Sequence, residues 1–130
     1  MRYNAHMNKA AFEMLIAEAL DTLPETFAKA LDNVEIVAAD WPTQQDLIDG
    51  HVPASLTLFG LYHGVPKTKR GNYSGVAPDT ITIFAGPIRI IYGENPDAIR
   101  KQVRNTVLHE IGHHFGMTEE EIRKAQRSRT

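Results

Sequence analysis

Apolar residues recur at helical spacing near both ends of the chain. This spacing predicts helix over residues 8–31, interrupted at Thr22-Leu23-Pro24-Glu25, where a capping box with an early proline restarts a second helical piece. Near the C-terminus a four-residue repeat predicts a longer helix. Its apolar stripe consists of Ile99, Val103, Val107, Ile111 and Phe115. Asn95-Pro96-Asp97 places a cap, a proline and an acid at the start of this helix.

Runs of β-branched residues between the helices predict the strands. Residues 34–38 and 80–84 are two such runs, and residues 88–92 are a third candidate. Residues 50–79 are rich in glycine and proline, with a possible short strand at 56–61. A long irregular segment of this kind is more often functional than accidental.

Composition narrows the class of protein. The chain has 130 residues, 42% hydrophobic and 23% charged, which is typical of one globular domain over residues 1–130. A net charge of −2 gives no reason to expect nucleic-acid or membrane binding. The chain has no cysteine, which excludes disulfides and thiolate metal sites and fits a cytoplasmic protein. Acidic residues also interrupt any apolar signal segment near the N-terminus, and the sequence does not predict the oligomeric state.

The segment HEIGHHFGMTE, which begins at His109, is the most informative motif. His109 and His113 are four residues apart, so a helix presents both imidazoles on one face, roughly opposite the apolar stripe. Glu110 lies beside them and is the predicted general base acting on a metal-bound water. Gly116 can end the helix in a left-handed turn, after which Glu119 can return as the third metal ligand.

Glu119 has a second interpretation, because Thr118 and Glu121 form a capping box that opens a last short helix. An acid at that position also favours the helix dipole. Both roles can hold together, since the cap can orient Glu119 towards the metal. Glu120 and Glu121 are predicted to be solvated.

Other polar residues are candidates for the same cleft. Tyr62, His63, Arg70 and Tyr73 lie in the long irregular segment, and any of them could stabilise an oxyanion. The sequence does not select among them. His114 falls about 100° around the helix from His113, so a packed structural histidine is the better interpretation there.

The motif and much of the chain resemble the compact bacterial family of minimal zincins, which are predicted metallopeptidases. The matching stretches are residues 20–25, 31–34, 58–66, 78–83 and 106–116. The resemblance implies an α+β fold, with a small mixed sheet packed on helices and the metal-binding helix near the C-terminus. It also implies a bound zinc ion, but it does not supply a substrate. Metzincins carry a third histidine and a later methionine turn, whereas this chain has Glu119 and no later methionine.

The leading hypothesis is a zinc-dependent peptide-bond hydrolase, with His109, His113 and Glu119 as ligands and Glu110 as base. Its partner would be a peptide or protein, held in extended form beside an edge strand, for which residues 80–84 are the candidate. A metal- or peptide-binding module without turnover is an alternative. A zinc-dependent endoribonuclease of ribosomal RNA maturation is another, although that family typically has a third histidine and a basic face.

Overall fold

A computed structural model describes residues 8–51, 58–64 and 78–128. In chain order the elements are helices α1 (Lys9–Leu20) and α2 (Glu25–Ala30), strand β1 (Val34–Ala39), helix α3 (Gln44–Asp49), strands β2 (Gly60–His63) and β3 (Asp79–Phe84), and helices α4 (Ala85–Tyr92), α5 (Pro96–His114) and α6 (Glu119–Arg127). The predicted α+β fold with a small mixed sheet is confirmed. None of the helices in these ranges is long and apolar enough to cross a membrane.

The sheet has the order β1-β3-β2, with β1 parallel and β2 antiparallel to β3. The prediction that residues 80–84 form an edge strand is therefore wrong, because β3 lies in the centre. Ile81 and Ile83 are 0% exposed, and a strand so fully covered is stabilised by partners on both sides. Among the strands that the structure describes, the short strand β2 is an edge instead.

Helix α5 forms the middle of the core. Ile99, Val103, Val107 and Ile111 of the predicted stripe are all 0% exposed, and the side chain of Asn95 caps the helix by accepting from the Ala98 N–H at 3.1 Å. Phe115 was predicted to continue the stripe, but it is 55% exposed. Each step of four residues advances about 40° beyond a full turn, so the fifth member of the repeat has rotated away from the core.

Two predictions about local secondary structure are not confirmed. Residues 88–92 form part of helix α4 rather than a strand, and the helix buries Ile88 while leaving Ile90 and Ile91 exposed. The break between α1 and α2 is confirmed, but not the capping box. The Thr22 hydroxyl donates to the Ala19 carbonyl at 2.7 Å, and Pro24 occupies the cap position of α2 without a side-chain hydrogen bond.

The predicted strand at residues 56–61 is only partly within the described residues. Strand β2 begins at Gly60, later than expected, and residues 56 and 57 lie outside the described ranges. Gly60 lies close to α5, since a Cβ atom there would be 2.6 Å from the Thr106 methyl group. This glycine lets β2 approach the helix that carries the histidine motif.

Candidate metal centre

His109 and His113 lie one turn apart on the side of α5 that faces away from the core. Their ring centroids are 4.2 Å apart, and their side chains are 42% and 52% exposed. The neighbouring residues Leu108, Ile111 and Gly112 are buried. The helix therefore packs on one side and presents both imidazoles on the other, as the sequence predicts.

A left-handed turn brings the chain back towards the two histidines. Gly116 has φ +73°, a conformation that glycine adopts without steric cost. The N–H of Met117 donates to the Gly112 carbonyl at 2.8 Å, and that of Gly116 donates to the His113 carbonyl at 3.2 Å. These bonds satisfy carbonyls at the end of α5 and fix the direction in which the chain leaves it.

Glu119 is the first residue of α6 and points back at both imidazoles. Its Oε2 lies 2.8 Å from His113 Nε2, and its Oε1 lies 3.6 Å from His109 Nε2. The predicted capping box is present beside it, with the Glu121 N–H donating to Thr118 Oγ1 at 3.1 Å and the Thr118 N–H donating to Glu121 Oε1 at 2.8 Å. The capping role and the orientation of Glu119 towards the histidines are therefore compatible.

The three side chains form a group that could hold a metal ion. One ligand atom from each of His109, His113 and Glu119 lies within 4.8 Å of the other two. The hydrogen bond from His113 lowers the pKa of the Glu119 carboxyl, so this group is a carboxylate at neutral pH. One carboxylate and two imidazoles therefore lie close enough together to bind the same ion.

Glu110 lies deeper than the three possible ligands. Its Oε1 accepts a hydrogen bond of 3.0 Å from the backbone N–H of Tyr62 in β2. Burial raises the pKa of Glu110, an effect that the Tyr62 hydrogen bond and the nearby histidines partly oppose. A carboxylate whose proton affinity is raised by burial is suited to accept a proton from water.

The position of Tyr62 follows from the sheet register. Tyr62 stands opposite Ile81 of β3, while the N–H of Phe84 donates to the Phe59 carbonyl at 2.9 Å. Because residues of an antiparallel strand alternate between facing the partner and facing away from it, the backbone groups of Gly60 and Tyr62 lie on the free edge of β2, which pairs with no strand in residues 8–51, 58–64 and 78–128. Glu110 thus contacts the edge strand itself.

The other predicted polar residues have different surroundings. His114 stacks on the Tyr62 ring at 4.0 Å between centroids, which confirms its interpretation as a packed histidine. The Tyr62 hydroxyl donates to Asp79 at 2.6 Å, so it does not point at the metal group. His63 Nε2 lies 3.9 Å from an Asp46 carboxylate oxygen. Arg70 and Tyr73 lie outside the described residues.

A cleft of about 340 Å³ opens beside the histidines. Its floor is α5, including Thr106, His109, Glu110 and His113, and the segment around Phe59 forms one wall. Apart from Glu110 and the two histidines, the described side chains that line it are uncharged. The candidate metal group therefore borders a space in which a substrate can lie.

Two residues that fix α6, Gly112 and Arg104, were not predicted from the sequence. A Cβ atom on Gly112 would lie 2.5 Å from Ile122 Cγ1, so only glycine allows Ile122 to pack this closely and reach 0% exposure. Arg104 also donates hydrogen bonds to the carbonyls of Gln126 and Ser128, both at 2.9 Å. The available signal was Gly112 itself, because a glycine inside a predicted helix costs about 1 kcal/mol relative to alanine. Its presence there indicates a close packing contact.

A helix that carries two histidines and a glutamate in this spacing, packed beside a small mixed sheet, defines a zincin-like protein. The zincin-like metallopeptidase family matches residues 31–128, and the chain belongs to that family. Among curated proteins none matches the chain. A solved structure of a conserved hypothetical protein from Thermus thermophilus is similar, with 22% identity and a TM-score of 0.52 over 84% of this chain and 94% of that one. At this identity the likeness supports the fold alone.

Proposed function

We propose that the protein is a zinc-dependent peptide hydrolase, with His109, His113 and Glu119 as zinc ligands and Glu110 as general base. The observation that carries this proposal is the convergence of the three ligand atoms within 4.8 Å, next to a partly buried acid. Two imidazoles and one carboxylate are a donor set of catalytic zinc sites, which leave one position open. We propose that the protein acts in the cytoplasm, with which a chain that has no cysteine is compatible.

The spacing of the donors fits zinc. Donor atoms at about 2.0–2.1 Å from a tetrahedral zinc ion are about 3.3 Å from one another. Glu119 Oε2 lies 2.8 Å from His113 Nε2, and Glu119 Oε1 lies 3.6 Å from His109 Nε2, so each carboxylate oxygen is near that distance from one imidazole. All three side chains are partly exposed, and α5 and α6 already bring them together.

Zinc, when bound, supplies a Lewis acid and lowers the pKa of a coordinated water towards about 7. Glu110 accepts the proton of the attacking water on its carboxylate and returns it to the nitrogen of the leaving amine. Burial keeps this carboxylate partly desolvated, which raises its affinity for the proton that it must hold between the two transfers.

The free edge of β2 is the proposed position of the peptide backbone. Gly60 and Tyr62 direct their backbone groups away from β3, and Gly60, although buried, lines the cleft, so an extended peptide could pair with this edge as an added strand. The Tyr62 N–H now binds Glu110, so pairing at that residue requires Glu110 to turn away from the strand.

The test compares wild type with Glu110→Gln and His109→Ala. Wild type purified without chelator should contain one zinc per chain and cleave peptides in a mixed library read by mass spectrometry. Glu110→Gln should keep the zinc and lose at least about 10²-fold in kcat/KM, because the amide cannot accept the proton. His109→Ala should lose the stoichiometric zinc.

Glu13→Gln is the matched control, because Glu13 is an exposed carboxylate on α1, remote in sequence from the motif. It should behave like wild type in both measurements. Peptide cleavage that survives in Glu110→Gln would exclude Glu110 as the base. Full zinc retention in His109→Ala would exclude the ligand assignment.

A further inference from the structure

A second, wider groove adjoins the cleft of the candidate metal centre. Its volume is about 920 Å³, and it shares Asn105 and Gln126 with the cleft. Asn105 lies one turn before His109 on α5, and the Gln126 side-chain amide donates to the Asn105 carbonyl at 3.4 Å. These two residues form the boundary at which the cleft continues into the groove.

The groove has a positive charge that the cleft lacks. Arg100, Lys101, Arg104 and Arg127 line it. Arg104 is occupied by backbone carbonyls, and Arg100 pairs with Glu18 and Asp97.

Lys101 and Arg127 are the cations in the groove that a ligand can reach. Both are exposed, and neither has an acidic partner within residues 8–51, 58–64 and 78–128. In a chain of net charge −2, two cations without partners in one groove favour a negatively charged ligand.

The length of α5 sets the distance from the metal group to these cations. Lys101 precedes His109 by eight residues, which is about 12 Å along a helix. An extended peptide advances about 3.3 Å per residue, so about 12 Å is three to four residues. If a peptide extends from the cleft past Asn105 and Gln126, the residue three or four positions from its scissile bond would therefore lie beside Lys101.

We infer that the substrate is a peptide with uncharged residues at the scissile bond and an acidic residue three or four positions away, bound by Lys101 and Arg127. This inference rests on the proposed peptide hydrolysis and adds the substrate class. Single-stranded nucleic acid fits the groove less well. Among the described residues no aromatic side chain lines it, so this part of the chain offers no surface for base stacking there.

The experiment uses quenched fluorescent peptides that share one scissile bond. They carry Glu, Gln or Lys at the third and fourth positions, on one side of the bond at a time. Wild type should have a kcat/KM about 5- to 10-fold higher for the Glu peptide than for the Gln peptide, which is the scale of two exposed ion pairs. This preference should appear only when the Glu residues are on one particular side of the scissile bond. Raising the ionic strength should reduce this preference.

A matched pair of double variants isolates the groove. Lys101→Gln/Arg127→Gln should bring the ratio of kcat/KM for the Glu and Gln peptides close to one. Lys9→Gln/Lys29→Gln removes the same charge from exposed positions outside the groove and should keep the wild-type ratio. Equal cleavage of both peptides by wild type would overturn the inference and leave the proposed hydrolysis intact.

Binding separates this inference from the proposed function. Zinc-loaded Glu110→Gln should bind the Glu peptide more tightly than the Gln peptide in fluorescence anisotropy. If wild type cleaves no peptide but this binding preference is present and is lost in the Lys101→Gln/Arg127→Gln background, the groove assignment stands and hydrolysis fails. Tighter binding of a short single-stranded RNA than of the Glu peptide would overturn the assignment in favour of nucleic acid.

Discussion

Substitution of Gly112 by alanine tests whether the packing of α6 on α5 determines the metal group. The added Cβ would lie 2.5 Å from Ile122 Cγ1 and 2.7 Å from Ile122 Cδ1, well inside van der Waals contact. Because Ile122 is 0% exposed, we expect α6 to shift outward. Glu119 begins that helix and would move away from His113, from which it is now 2.8 Å distant.

Two effects on stability oppose each other in Gly112→Ala. Alanine stabilises a helix interior by about 1 kcal/mol relative to glycine. Overpacking a well-filled interface costs about 1–3 kcal/mol. The expected net loss in the free energy of unfolding is therefore about 0–2 kcal/mol, small enough for the protein to stay folded. Zinc affinity should fall by about 10-fold or more, since one of three ligands is displaced.

The assays are urea unfolding of the metal-free protein and zinc titration against a competing chelator. Gly112→Ala/Ile122→Ala provides the control, because it removes both clashing carbon atoms and should recover part of the zinc affinity. The single variant Ile122→Ala measures the cavity cost alone, about 2–5 kcal/mol. If Gly112→Ala gains about 1 kcal/mol and keeps full zinc affinity, the close contact does not position Glu119.

Three other substitutions test separate parts of the site. Glu119→Ala should weaken zinc binding markedly while Glu120→Ala changes little, and a titration in which only Glu120→Ala loses affinity would show that the third ligand is misassigned. Glu110→Gln should raise the thermal stability of the metal-free protein at neutral pH. Burial raises the pKa of Glu110 in the folded protein above its ordinary value of 4.5. The free energy of unfolding therefore falls as the pH rises from 4.5 through the folded-state pKa, and glutamine avoids this loss because it does not ionise. Equal melting temperatures for Glu110→Gln and wild type across this range would contradict that effect of burial. Arg104→Ala should lower the free energy of unfolding by about 1–3 kcal/mol, because it removes charged hydrogen bonds to the α6 carbonyls, and Arg104→Lys should recover little of it. A urea midpoint unchanged in Arg104→Ala would show that these bonds do not stabilise the fold.

Local sequence signals predicted the parts of the site that depend on neighbours in the chain. The histidine spacing, the glycine turn at Gly116 and the Thr118 capping box each involve residues at most five positions apart. Local chemistry was sufficient there because hydrogen bonds within one or two turns determine the geometry.

Contacts between distant segments were not predictable in the same way. The central position of β3 depends on which strands pair with it, and the alternating pattern of residues 80–84 is the same at an edge or in the centre. The β-branched residues of α4 favoured a strand, but a helix follows β3 directly. The hydrogen bond from Tyr62 to Glu110 joins residues 48 positions apart, and no sequence spacing indicates it.

The base and the third possible ligand are held by different parts of the molecule. Glu110 is bound to an edge of the sheet, whereas Glu119 belongs to α6, whose main packing partner within the described ranges is α5. A short helix that packs mainly on one neighbour can open without global unfolding. A metal ion bound through all three side chains would oppose that opening by mass action, so metal concentration would govern the order of the C-terminal helix while the base stays in position.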